Sequence, residues 1–370
     1  MARIFMDGFE YGRPTSLLSN STSGNFEDMM WKVYNDNGSG NPYGTIDAST
    51  TAYSGGDYSM RFYRAQTGSF ISDRYNCIYK ELSSNYNKLY SRFNFRFNAR
   101  GESDYVEFFA LDDTTYIGGS LSCILKYHAN LGNLQLYTDG TLRATVNNAF
   151  IDDTWHLVDI LYDNSGSNVV IKVDNTEVIN YSGTVDSAID NLVLGRCNNA
   201  SINTGYEFFI DDFAINDDSG SVNNSWIGSG VIRLIKPTSD DTNADFTPST
   251  GSDHYAMVDD FPDDGDTTYN SSTVSGDIDT FGLESVPSVA TGQTINAVQA
   301  VYRARSETDV ASVAPILISG ATTDTGATQS TVLSDYNDTK QKVYDVDPNT
   351  SVQWTETNVN AVKGGYKNAT

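Results

Sequence analysis

Cysteine is scarce in this chain: Cys77, Cys123 and Cys197 are the only three among 370 residues. An odd number without any short paired spacing such as C-x-x-C excludes a disulfide framework. Basic residues are also few, 23 Lys and Arg against 48 Asp and Glu, for a formal net charge of −25. A nucleic-acid backbone or an anionic membrane repels such a surface, so neither is expected as a main partner. The acidity suits a protein that stays soluble at high copy number, or one that binds cations or basic patches on neighbours. No stretch approaches the roughly 18 apolar residues of a membrane span. The opening residues Met1 to Glu10 lack the apolar run and cleavage site of a signal peptide. The expectation is a protein made in a cytosol that leaves by a route other than secretion, assembly into a particle released by lysis being one. No G-x-G-x-x-G or G-x-x-x-x-G-K-[ST] phosphate cradle occurs, so nucleotide chemistry is not indicated. There is no repeat of fixed period.

What the chain has in quantity is aromatic residues, 12% of the total, led by 23 Tyr and 17 Phe. This argues against disorder and for strands. Period-two alternation, the mark of half-buried strands, recurs wherever a pattern is visible. Phe93, Phe95 and Phe97 interleave with Arg92, Asn94 and Arg96. Similar runs are Tyr105 to Leu111, Leu134 to Tyr137, Trp155 to Tyr162, Val169 to Val173 and Glu207 to Ile215. The turn-rich stretches Asp163 to Asn168 and Asp174-Asn175 separate some of them, which implies a meander of hairpins.

At about 100 to 200 residues per domain, this length suggests two domains. The polar stretch Asn216 to Ser225 reads as the boundary. Strand-like runs then resume at Val231 to Ile235, Tyr255 to Val258, Ala297 to Arg303, Ala314 to Ile318 and Lys342 to Val346. Between them lie acidic clusters, Asp240-Asp241 and Asp259 to Asp266, which read first as solvated loops and second as cation sites. The one good helix signal is Glu356 to Val362, capped by Thr355 and stopped at Gly364-Gly365. The expected fold class is all-β, with two antiparallel β-sandwich domains in tandem, residues 1–220 and 225–370, and a short C-terminal helix.

Three groups of residues carry a family resemblance. Ile4 to Glu10 resembles the first strand, and Tyr53 to Phe62 the returning strand, of a laminin-G-like, concanavalin-A-like jelly roll of the kind common in phage virion proteins. Thr154-Trp155-His156-Leu157-Val158, Val169 to Asp174 and Phe209-Ile210-Asp211-Asp212-Phe213 resemble, in order, its later strands. The ending Asp347-Pro348-Asn349-Thr350, Trp354-Thr355 and Gly364-Gly365-Tyr366 resembles a terminal element of phage tail and capsid-associated proteins. The resemblance implies a jelly roll of about 200 residues followed by a phage-type β-sandwich.

The sharpest enzymatic hint is Glu102-Ser103-Asp104-Tyr105-Val106-Glu107, which resembles the E-x-D-x-x-E pattern of jelly-roll β-glucanases of glycoside hydrolase family 16. That likeness implies Glu102 as nucleophile, Asp104 as its tuner and Glu107 as acid/base. A retaining mechanism needs its two carboxyl groups about 5 to 5.5 Å apart. In a regular strand Glu102 and Asp104 share one face and Glu107 points to the other, and a β-bulge would be needed to reunite them. The bland reading is a polar turn feeding Val106, Phe108 and Ala110 into the core. His128, His156 and His254 have no partner at metal-ligand spacing and read as packed or surface histidines. The three cysteines read as ordinary strand residues. Asp152-Asp153, Asp163 and Asp211-Asp212 could supply calcium ligands at the sandwich rim, although none matches an EF-hand loop. Tyr43, Tyr53 and Tyr116 could stack on sugars or simply pack.

The reading that follows is a non-catalytic structural component of a bacteriophage virion, a capsid decoration or tail- or fibre-associated protein made in the host bacterial cytoplasm. No catalytic, cofactor or metal residue is assigned, and no cofactor is expected beyond calcium as a lesser option. The expected partners are other virion proteins, further copies of the chain (a trimer by analogy with phage appendages), and host surface glycans. The alternatives are a glycoside hydrolase or depolymerase using Glu102, Asp104 and Glu107, and a free carbohydrate-binding lectin.

Overall fold

The structure is a computed structural model that describes residues 2–10, 24–25, 30–36, 44–64, 75–98, 105–113, 121–128, 131–185, 187–197, 205–261, 264–289, 291–307, 309, 311–333 and 340–370. The fold is all-β, as expected, with one short α-helix among the described residues. Two compact units divide the chain: Met1–Phe26 with Trp31–Ile232, and Glu27–Met30 with Arg233–Thr370.

The first unit contains two eight-stranded antiparallel sheets. In spatial order the first sheet runs Thr176–Ser182, Asn168–Val173, His156–Asp163, Lys88–Asn98, Tyr206–Asn216, Ser59–Arg64 and Gly44–Ser49. Arg3–Asp7 pairs with the far half of Tyr206–Asn216. The second sheet runs Thr141–Val146, Asn133–Thr138, Cys123–His128, Tyr105–Asp112, Ile189–Arg196, Tyr75–Tyr86, Lys32–Asp36 and Gly24–Asn25. Alternation directs the phenylalanines inward, so the core is aromatic: Phe95 stacks on Phe108 at 4.4 Å, Phe62 on Phe208 at 4.8 Å and Phe93 on Phe109 at 5.4 Å. Each fully buried ring contributes about 1.5 to 3 kcal/mol, enough in sum to fix which face of every strand looks inward.

One strand departs from simple alternation. A register shift between Glu107 and Phe109 in Tyr105–Asp112 is a β-bulge, and it sends both Phe108 and Phe109 into the core. Val106, Phe108 and Ala110 are all buried, but the bulge puts Ala110 out of phase with Phe108. Ala110 packs in a second apolar cluster with Cys77, Leu121, Ile124, Val193 and Cys197.

After the last strand the chain stays on the outer face of the first sheet as a strap. Trp226 lies edge-on to Tyr90 at 5.7 Å and under the Lys172 ammonium at 3.7 Å. The Gly228 N–H donates to Asp159, Arg92 donates to the Gly230 carbonyl, and the Ile232 N–H donates to Asp212. Val231 to Ile235 is therefore not a strand; its start is held by side chains rather than by a ladder.

In the second unit the main sheet runs Pro237–Ala244, Ile278–Leu283, Lys363–Asn368, Ser312–Ser319 and Thr322–Thr325. Its core joins Leu317, Tyr344, Trp354, Val359 and Val362. Asp240-Asp241 lies inside the first of these strands and not in a loop. The Asp240 carboxylate accepts the N–H groups of His254 and Tyr255, which winds Tyr255–Met257 into a single 3-10 turn in place of the expected strand. Lys363–Asn368 is a strand, so Gly364-Gly365 does more than end the helix. A Cβ on Gly365 would fall 2.0 Å from the Asp279 carbonyl, and only glycine permits that approach of neighbouring strands.

The Asp347-Pro348-Asn349-Thr350 segment is a knot around one carboxylate. Asp347, fully buried, accepts hydrogen bonds from Ser319 Oγ, the Asn349 N–H, Thr350 Oγ1 and Asn358 Nδ2 at 2.7 to 3.0 Å. Burial opposes its charge, but these donors win and hold the carboxyl below its ordinary value. The knot sets the short helix Glu356–Asn360, whose Thr355 cap accepts from the Asn358 N–H, and it seats Trp354, which donates to the Tyr344 carbonyl at 2.9 Å. Replacing Asp347 with alanine is expected to lower the stability of the second unit by about 3 kcal/mol, since several buried donors lose their acceptor at once. Urea denaturation checks this; a loss below about 0.5 kcal/mol, the scatter of ordinary surface substitutions, would contradict it.

Candidate functional site

The outer face of the second sheet carries a row of polar side chains. Register places Gln135 opposite Lys126, and Lys126 opposite Glu107, in a row across three adjacent strands. Thr145 extends the row onto the edge strand and accepts a hydrogen bond from Gln135 Nε2 at 3.4 Å. Glu107, 3% exposed, has Lys126 Nζ at 2.8 Å from one carboxylate oxygen and Arg196 Nε at 3.8 Å from the other. The Tyr137 hydroxyl donates to Gln135 Oε1 at 3.1 Å, and the Lys126 ammonium sits 4.5 Å from the centre of the Tyr137 ring. On the other side of the row Tyr105 meets His128 edge-on at 5.1 Å.

The face grades from wet to dry. Thr145 is exposed, Tyr137, Tyr105, His128 and Lys126 are half-buried, and Gln135 and Glu107 are buried. A carboxylate, an ammonium, a guanidinium, an amide and two phenols thus share one face, with aromatic surface beside them. The set can exchange hydrogen bonds with a polyhydroxylated chain and offers ring faces for its C–H groups.

Glu107 is the one member of the glucanase-like pattern that the structure describes; Glu102 and Asp104 lie outside the described residues. The strand does bulge, but after Glu107, and both Glu107 oxygens face cations. Tyr43 and Tyr116 also lie outside the described residues. Tyr53 is half-buried on the first sheet, where its ring meets Trp155.

The rim carboxylates serve the fold. Asp211 accepts from the N–H groups of Tyr53 and Asp212; Asp212 accepts from Asn94 and Ile232. Asp163 pairs with Lys88 at 2.9 Å and accepts the Gly166 N–H, and Asp153 lies 3.4 Å from Arg96. Burial, and next the Asp212 charge, push the Asp211 carboxyl well above its ordinary value. Among the described residues no group of three or more His, Cys, Asp or Glu side chains is placed to hold a metal ion. His156 accepts the Ile151 N–H at Nε2 and so donates from Nδ1 to Asp174 at 2.7 Å, a strand-end brace. His254 pairs with the buried Asp279 at 2.9 Å. Cys77, Cys123 and Cys197 are buried free thiols, and burial pushes Cys123 up to about 12.

No family model matches the chain, and no curated protein matches its sequence. Among solved structures it is similar to the cellulose-induced protein Cip1, at 15% identity and a TM-score of 0.40 over 57% of this chain and all of that one. It is similar to an endo-β-1,4-glucuronan lyase from Trichoderma reesei, at 16% identity and a TM-score of 0.37 over 54% of this chain and 95% of that one. A carbohydrate esterase of the Shiga toxin-encoding bacteriophage phi24B is a further neighbour, at 12% identity and a TM-score of 0.33, over 47% of this chain and 87% of that one. Alginate lyases also occur among the neighbours. The expectation that the chain is not an enzyme is corrected by this comparison, because sandwiches of similar build include lyases.

Proposed function

We propose that this chain is a glycan-engaging component of a bacteriophage particle, in which the first unit takes a segment of host-surface polysaccharide on the outer face of its second sheet. The observation that carries the reading is the row Thr145, Gln135, Lys126 and Glu107 with Tyr137 beside it. A row perpendicular to the strands matches an extended chain laid across the sheet, and half-buried tyrosines supply stacking area. The particle assignment rests on the sequence resemblance of the opening strands and of the Asp347 to Tyr366 ending.

Glycan-array binding of the full chain should find at least one bacterial surface polysaccharide. Gln135→Ala and Tyr137→Ala should each weaken it about tenfold, the effect of losing one well-made contact of about 1.4 kcal/mol. An array without a hit would remove the glycan reading. Purified particles in which mass spectrometry does not find this polypeptide would remove the particle reading.

A second reading, cleavage of the bound glycan, is favoured by one feature: the Lys126 ammonium sits 4.5 Å from the centre of the ring of Tyr137, a half-buried phenol beside the row. New chain ends released from the bound polysaccharide, and lost in Tyr137→Phe, would establish it.

A further inference from the structure

The outer face of the first sheet holds a separate cluster that the reading above does not use. Arg96, Phe209, Arg61 and Asp47 follow one another across four adjacent strands. Trp155 lies over this row at 6.4 Å from Phe209, and Tyr53 meets Trp155 edge-on at 5.9 Å. The Arg96 guanidinium lies over the Phe209 ring at 5.8 Å from its centre. Phe209 is 3% exposed and so is floor rather than contact, whereas Trp155 and Tyr53 are half-buried. The strap of residues 226–232 lies farther along the same sheet, on Tyr90, Asp159 and Arg92.

The polar groups beside the rings form a network with capacity to spare. Arg61 donates to Asp47 at 2.7 Å and reaches Glu207 at 3.5 Å, and Glu207 also accepts from Asn98 Nδ2 at 2.7 Å. Arg61 is 33% exposed in its side chain and Arg96 24%. Among the described residues the buried Arg96 Nε and Asn98 Oδ1 have no hydrogen-bond partner, and the ion pair of Arg96 with the 64% exposed Asp153 is long at 3.4 Å. A ligand hydroxyl that displaces the Arg96–Asp153 contact gives up little, because that pair is long and exposed. The cations Arg61 and Arg96 are already matched by Asp47, Glu207 and Asp153, so the patch has no surplus positive charge for an anion.

We infer that this patch is a second saccharide site, one that takes a neutral hexose against Trp155 and Tyr53. The indole and phenol rings accept the C–H face of the sugar, while Arg96, Arg61 and Asn98 exchange hydrogen bonds with its hydroxyls. The two sheets then give the first unit two places along which a glycan can be gripped, and binding of a long polymer gains from their linkage.

The test uses the full chain and a panel of neutral cello-, malto-, manno- and galacto-oligosaccharides, read by calorimetry and by the NMR resonance of the Trp155 indole N–H. The expected result is that at least one oligosaccharide shifts that resonance, and that Trp155→Ala weakens its binding about tenfold or more. Arg96→Lys should weaken it as well, because a point charge replaces a planar fork. Val352→Ser, at a 60% exposed position of the second unit, should leave this binding unchanged. No oligosaccharide shifting the indole resonance, or binding that Gln135→Ala abolishes and Trp155→Ala leaves intact, overturns the inference. In the second case the outer face of the second sheet remains as the glycan site.

Discussion

Replacing Arg92 with methionine should lower the unfolding free energy of the first unit by about 3 to 5 kcal/mol, the range found when one member of a buried charge network is removed. Arg92 is 2% exposed and donates to two backbone carbonyls, Asp212 at 2.7 Å and Gly230 in the strap. Burial pulls its guanidinium below its ordinary value, and the charges of Asp212 and Asp159 pull it back up. Methionine fills much of the volume but leaves both carbonyls and Asp159 without their cation. The strap then loses its central tie, and Trp226 and Gly228 are expected to follow. Chemical denaturation with an unchanged m-value is the measurement. Arg61→Met is the control: Arg61 is 33% exposed, and breaking its exposed pair should cost about 1 kcal/mol or less. Equal losses in the two variants would contradict the account of the strap.

The stability of the first unit should rise as pH is lowered from 9 to 5. Asp7 is 1% exposed; burial pushes its carboxyl up to about 7, against the opposing hydrogen bonds from the Phe9 N–H and Trp31 Nε1, both at 2.7 Å. In the unfolded chain the same carboxyl titrates near 3.8. Between these values the folded protein holds a proton that the unfolded chain has released. Stability is therefore fully present below the unfolded value, is lost as pH rises through about 7, and levels off above that. The whole span is worth roughly 4 kcal/mol. Asp211 is raised by burial and by Asp212, and acts in the same direction. Asp7→Asn should flatten much of the slope, and hydrogen exchange of core-strand amides measured across the range follows it. A first unit more stable at pH 8 than at pH 5 would contradict this assignment.

The strands of the first unit are readable in the sequence because one face of each is aromatic and the other polar, so Phe93, Phe95 and Phe97 announce both the strand and its orientation. The strand Pro237–Ala244 is not readable. Its residues, Pro-Thr-Ser-Asp-Asp-Thr-Asn-Ala, have no apolar alternation, and it is held by pairing, by Asp240 gathering the N–H groups of His254 and Tyr255, and by Asp241 pairing with Lys363. The bulge beside Phe108 is equally hidden, since two adjacent phenylalanines fit either phase of a strand until their partners are known. The same limit conceals the proposed glycan face. Glu107, Lys126 and Gln135 each occupy an ordinary outward position, and only inter-strand register brings them into one row. The Asp347 ending was visible as a pattern, whereas its physical role, one carboxylate collecting four donors, needs the distant Ser319 and Asn358.

The most direct test of the glycan face is a structure of the full chain with an oligosaccharide released from a polysaccharide that it binds. Sugar density across Thr145, Gln135 and Lys126, with a ring against Tyr137, is the predicted result. Sugar bound only at sites away from both outer sheet faces, with this row untouched, would contradict the central claim.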